Sequence, residues 1–389
     1  MNDRWLIAFG IALTMLLAGC TTVGPDFEKP EADIPDNWTQ PVDSGLETAP
    51  HELVEWWKLF SDPVLDGLVE TALRNNNTLE IAGLRVLEAQ AQLGIATGLK
   101  YPQAQAAAGD ASYISPPDNS GVTSNYWQFG FGASTSWEID FWGRFRRGIE
   151  SADAAYMASI AAYDQARVVM TAAVVDLYTI VRVTEEQLRI SHENVKIQQR
   201  SYDIAKVLYE NGADSELDMQ QANTLLLSTQ ASIPGLEISL AQARNALSTL
   251  LNVAPGEVKN LTGQNAGLPT VPENIAIGIP ADMLRRRPDV RQAEYLAMAQ
   301  NALVGFAKAD LYPRFTLTGS VGLSAGTPDT DFGDLFDSDA YTYSFGPSFS
   351  WPFLNYGRIR NNVRVEDARL QQALVAYRET VLQATREVE

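Results

Sequence analysis

From Phe129 onward, hydrophobic and polar positions alternate with a period of two. Phe129, Phe131, Ala133, Thr135, Trp137, Ile139 and Phe141 take one side; Gln128, Gly130, Gly132, Ser134, Ser136, Glu138 and Asp140 take the other. The alternation returns later in the chain. Tyr341, Tyr343, Phe345, Pro347, Phe349, Trp351 and Phe353 oppose Thr342, Ser344, Gly346, Ser348 and Ser350. Period two is the mark of a strand with two unlike faces. Each run has a plainer partner upstream. One is the alanine-rich stretch from Gln103 to Tyr113; in the other, Phe315, Leu317, Val321 and Leu323 alternate with Thr316, Thr318, Ser320 and Ser324. Turn-forming residues separate the partners, Pro116 to Gly121 and Gly326 to Asp329. Two β-hairpins are therefore predicted, over residues 103–141 and 314–355.

Helical periodicity fills the rest. One helix is predicted over 63–102 and one over 281–313, each stopped by Tyr-Pro at Tyr101-Pro102 and Tyr312-Pro313. Residues 142–254 read as a hairpin of long helices. No Gly or Pro occurs between Ser151 and Asn211, a stretch that could reach roughly 90 Å as helix. It carries Glu185, Glu186, Arg189, Glu193, Lys196 and Arg200, too many charges for a membrane span. Gly212 breaks it. A return helix is predicted from near Ser215 to Leu251, interrupted at Pro234-Gly235. Residues 255–280 form a linker, and 356–389 begin another long helix.

The chain also repeats itself. At an offset of 211, 8 of 30 positions from Leu73 to Pro102 are identical to Leu284 to Pro313; at 214, 10 of 24 from Phe131 to Ala154 match Phe345 to Ala368. Trp, Gly, Arg and Pro agree in order, which predicts a duplicated unit.

Composition narrows the function. The net charge of −19 argues against a nucleic-acid binder, which needs a basic patch. One cysteine, Cys20, and two histidines, His51 and His192, leave no disulfide framework and no Cys/His metal cluster, so neither cofactor nor metal is expected. No catalytic constellation is present: Gly130-Phe131-Gly132 lies within a strand, and His192 sits in a charged helix. Residues 1–19 read as a secretory signal, with Arg4 followed by an apolar run from Trp5 to Leu17. Leu17-Ala18-Gly19-Cys20 resembles the lipobox of bacterial lipoproteins. That resemblance implies diacylglyceryl and N-acyl groups on Cys20, with 20–62 as a lipidated N-terminal segment. Thr21 in place of Asp is permissive for outer-membrane sorting.

With such an address, the alternating strands read as membrane strands of the 9–11-residue class. Phe129, Phe131, Trp137, Phe345, Phe349 and Trp351 would face lipid; Ser134, Ser136, Ser348 and Ser350 would face a water-filled lumen. Four strands cannot close a barrel, and open edges in hydrocarbon cost several kcal/mol per unpaired group. Several chains must therefore cooperate; two would give little lumen and three would leave room for a pore.

Four stretches resemble the TolC-like outer membrane factors, in particular the lipoprotein branch paired with RND-type efflux pumps. They are Cys20 to Phe27, Trp56 to Pro63, Leu208 to Asp218 and Pro280 to Val290. The resemblance implies an α+β membrane protein: a homotrimer whose β-barrel continues into a tunnel of antiparallel periplasmic helical hairpins. It implies passive export, with a periplasmic adaptor and an inner-membrane pump as partners. Asp218 matches a position in the polar network that closes the tunnel tip, and Tyr209, Gly212 and Ser215 fall where the adaptor is contacted. Plainer readings stand beside these: Asp218 as a helix-start acid and Gly212 as a helix-ending glycine. A protein-secretion duct and a non-conducting envelope lipoprotein are the alternatives, the latter having no use for a polar strand face. By the repeat offset the second unit should run to about residue 465, roughly 76 residues past Glu389.

Overall fold

The computed structural model describes residues 22–30, 46–48, 55–117, 121, 124–262, 267–270, 275–277 and 284–388. Cys20 and the signal segment lie outside these. Two compact units form. One comprises residues 1–33, 86–161 and 289–387, the other 34–85, 162–288 and 388–389.

The second unit is built on helices. Besides a three-residue parallel pair, β1 (Leu46–Thr48) with β4 (Ile275–Ile277), it holds a 3-10 turn (Trp56–Phe60) and α1 (Pro63–Asn75). The region predicted as one helix over 63–102 is two. It breaks at Asn76, and α2 spans Asn77–Gly98. Asn76 has extended backbone, its Oδ1 accepts from the Leu79 N–H at 3.0 Å, and its Nδ2 donates to the Leu250 carbonyl at 2.9 Å. A side chain that satisfies both a new helix start and a neighbouring helix end outcompetes continuation.

The long helix is α3, Arg144–Glu210, 67 residues, or about 100 Å at the usual rise. The return helix α4, Glu216–Leu251, runs unbroken through Pro234, so the predicted interruption is absent. An interior proline costs about 3 kcal/mol. Buried Leu226 before it and Leu240, Ala243, Leu247 and Leu251 after it hold both halves in place. Leu247 and Leu251 meet Leu65, Leu68, Val69, Met170, Val174 and Tyr178 in one apolar core, with Val258 of the short helix α5 (Val258–Leu261).

In the first unit, α6 (Pro288–Ala309), which lies within the predicted 281–313, of which 281–283 are outside the described residues, and α7 (Arg358–Val388) accompany a four-stranded antiparallel sheet. Its strands are β2 (Ala104–Ile114), β3 (Tyr126–Ile139), β5 (Arg314–Ala325) and β6 (Tyr341–Ser350), in the order β2-β3-β5-β6. The alanine-rich run is a full eleven-residue strand. The β5–β6 loop contains a 3-10 turn, Phe332–Phe336, that its turn-like composition did not disclose.

The two hairpins carry matching corners. Trp137 Nε1 donates to the Lys100 carbonyl at 3.2 Å, and Trp351 Nε1 to the Leu311 carbonyl at 3.1 Å. Gly143 and Gly357 both take positive φ, 77° and 83°. These pairs stand at the two offsets of the sequence match. Among the described residues no helix is long and apolar enough to cross a membrane.

Candidate functional site: channel wall, N-terminal strap and hairpin tip

Strand register decides which side chains share a face. Ala106, Ser134, Ser320 and Ser344 form one rung across the sheet; Ala107, Ala133, Val321 and Tyr343 form the next. Alternate rungs project to opposite faces. Ser134, Ser136, Ser348 and Ser350 therefore share a face with Thr316, Thr318 and Thr342. Phe129, Phe131, Trp137, Phe345 and Phe349 share the other with Leu317, Val321 and Tyr343. Trp351 stands just past the end of β6. The polar face is low as well as polar. Gly132 lies opposite Gly322, and a Cβ on either would come within 2.8–2.9 Å of the facing backbone oxygen. Ser320 and Ser344 share a hydrogen bond of 2.8 Å across this face. On the apolar face Tyr343 and Phe345 are more than four-fifths exposed. Such rings in water would be unfavourable by about 25 cal/mol per Å².

The strap is residues 22–30, which sequence reasoning missed as a structural part. Val23 N–H donates to the Trp142 carbonyl at 3.0 Å. Arg147, almost fully buried, donates to the carbonyls of Val23 and Gly24, both at 3.2 Å, and to Asp26 at 2.8 Å. Buried Asn301 donates to the Pro25 carbonyl at 3.0 Å, and Lys29 pairs with Glu294 at 2.6 Å. Gly24, with φ 105°, abuts Gly305 of α6 so closely that a Cβ on Gly24 would lie 2.4 Å from the Gly305 Cα. Thr22 closes over Gly143, where a Cβ would fall 2.7–3.0 Å from it; among the described residues the matching Gly357 meets the Asn361 side chain, at 3.7 Å. The signal was present in the run Val23-Gly24-Pro25-Asp26, but nothing local named its partner.

At the hairpin tip, Gly212 takes φ 72°. Its N–H reaches the Tyr209 carbonyl at 2.9 Å, and the Ala213 N–H reaches the Leu208 carbonyl at 2.8 Å. That is a Schellman stop, which needs a left-handed residue after the cap. Ser215 caps α4, accepting from the Asp218 N–H at 3.2 Å. The Ser215 hydroxyl in turn donates to the Asp218 carboxylate, a bond that holds this carboxyl below the usual range. Gly212 thus ends α3, Ser215 with Asp218 begins α4, and Tyr209 beside the stop is exposed.

The model of the outer membrane efflux protein family matches residues 68–253 and 279–389. The chain belongs to the outer membrane efflux protein family. Curated relatives agree with that placement. The probable outer membrane lipoprotein SilC of Salmonella typhimurium is 31% identical over 388 residues, covering 97% of this chain and 80% of the relative. The probable efflux pump outer membrane protein TtgC of Pseudomonas putida is 31% identical over 384 residues, covering 96% and 77%. Among solved structures, the outer-membrane channel OprN superposes with a TM-score of 0.83 at 34% identity, covering 94% of this chain and 81% of OprN. This efflux protein is thus an outer-membrane channel component, with the expected TolC-like chain fold.

Proposed function

We propose that this chain is the outer-membrane exit duct of a tripartite efflux system, working as a trimer. Each copy contributes four strands, β2 of one copy pairs with β6 of the next, and a barrel of twelve strands encloses a lumen walled by Ser134, Ser136, Ser348 and Ser350. A duplicated ancestry accounts for the paired hairpins and their matching corners. Acyl groups on Cys20 tether the duct to the outer membrane, and the strap from Thr22 to Lys29 fixes where that tether leaves the fold. The Gly212–Asp218 tip meets a periplasmic adaptor and the tip of a neighbouring hairpin, and an inner-membrane pump drives cargo through.

One observation carries this reading. The register sorts a sheet with no loss of alternation into a low polar face and an exposed aromatic face, while β2 and β6 each pair on one side only among the described residues. A lipid-facing arginine near the bilayer midplane costs about 2–4 kcal/mol, and a lumen-facing one does not. Phe131→Arg should fail to insert into the outer membrane. Ser134→Arg should insert and lower single-channel conductance in planar bilayers. Equal behaviour of the two variants would reverse the assignment of faces.

A further inference from the structure

The β5–β6 loop is poised for more than a turn. Its 3-10 turn buries Leu335 and leaves Phe332 and Phe336 58% and 65% exposed. A loop in water would present the opposite pattern, polar groups out and rings in. The turn is also held firmly. The Asp331 N–H donates to the Asp334 carboxylate at 2.6 Å, the Asp334 N–H returns to the Asp331 carbonyl at 3.1 Å, and the Ser324 N–H donates to the carbonyl of buried Ala340 at 2.9 Å.

The exposed rings are not isolated. Phe332 meets Phe129 edge to face at 5.3 Å between centroids, and Phe336 meets Phe332 at 5.8 Å. Phe129 stacks on Trp127 at 6.1 Å, and Trp127 meets Tyr113 at 5.4 Å. Tyr113, Trp127 and Phe129 stand on the aromatic face of the sheet. Five rings therefore form one continuous line, begun on the strands and extended by the loop. The same loop carries Asp329, Asp331, Asp334, Asp337 and Asp339 in its sequence, and no Lys, Arg or His occurs from Phe315 to Gly357. Aromatic rings gathered at the end of a membrane strand are what a lipid–water boundary collects, and ionised carboxylates in the same loop keep the rest of it hydrated.

We infer that the Phe332–Phe336 turn is a lipid-contacting wedge: Phe332 and Phe336 enter the acyl-chain region of the membrane leaflet at this end of the sheet, while the five aspartates stay at headgroup level. The occupant is lipid, because the wedge is continuous with the aromatic face. The inference rests on that face being lipid-facing, as proposed above, and adds that the loop shares its solvent.

The test uses the full-length trimer in phosphatidylethanolamine and phosphatidylglycerol vesicles. Phe336→Cys, and separately Phe332→Cys, is labelled with a polarity-sensitive fluorophore, with the labelling of the unsubstituted protein subtracted to remove any signal from Cys20. A nitroxide near the head of the lipid acyl chain should cause about a two-fold loss of emission, as for an interfacial group, and aqueous iodide should cause little. Asp337→Cys should show the reverse. Emission quenched by iodide alone, or by neither agent as for a ring covered by protein, overturns the wedge. Phe131→Cys separates the two claims: quenching there by lipid nitroxide keeps the aromatic face in lipid even if the wedge fails, and its absence there withdraws the face itself.

Discussion

Two residues with no exposed chemistry, Gly24 and Gly305, decide how the strap is seated. They touch back to back, and a Cβ on Gly305 would lie 2.8 Å from the Val23 carbonyl oxygen and 2.9 Å from the Arg147 side chain. Gly305→Ala should lift the strap and leave the buried Arg147 with Glu150 as its carboxylate partner, without the strap carbonyls and Asp26, which is costly for a charge out of water. Limited proteolysis near residues 22–30 should become faster, with the sheet unchanged. Tyr178 is the other informative residue. Burial, and then its 2.5 Å bond to Asp62, push its hydroxyl up to about 12, against the nearby Arg182. The ordinary value is about 10, so the fold binds this proton more tightly than the unfolded chain does. The contribution is whole below pH 10 and is lost as pH rises towards 12. Tyr178→Phe, which loses the bond to Asp62, should be less stable than the parent at pH 8, and should lose less stability than the parent between about pH 10 and 12, read by circular dichroism across a pH series. The sequence disclosed the exposed alternation of Phe131 and Ser134 but neither of these contacts. Periodicity reports which way a side chain faces, and says nothing about a partner more than a hundred residues away.

At the scale of the element, local chemistry was readable where it was self-contained. Gly212 and Ser215 announced a stop and a start, and α3 ends and α4 begins as they require. Asn76 and Pro234 were misjudged in opposite directions, because tertiary contacts settled both. Asn76 breaks a helix that periodicity continued, through its bond to Leu250. Pro234 fails to break one, through core residues on either side. Two glycines of the hairpin should therefore respond oppositely to alanine. Gly212→Ala forces a side chain into left-handed backbone and should cost about 1–2 kcal/mol. Gly235→Ala, in a helix interior with open space around it, should gain about 0.5–1 kcal/mol. Hydrogen exchange should show faster opening of residues 205–213 in the first variant and slower opening around 235 in the second.

For the whole molecule, the two-faced sheet and the long helices were legible because they follow from periods of two and 3.6 that run for many residues. The strap and the β1–β4 pair were not, because each depends on segments far apart in the chain; the aromatic turn is held by local bonds, but its ring contact with Phe129 lies some two hundred residues away in sequence. If β2 and β6 of neighbouring copies pair, melting of the sheet should depend on protein concentration in detergent, with the midpoint rising as copies associate. A dilution series followed by circular dichroism checks this.

The half-paired strands at either side of the sheet have a consequence for the chain's journey. On the proposed trimer, a copy not yet assembled would carry, among the described residues, two strand edges without backbone partners and a sheet face of uncovered rings. On that reading, such a copy would be prone to edge-to-edge association until it meets its sisters. A defect in β2 or β6 should appear first as protein that is made and degraded, well before any conducting duct can be measured.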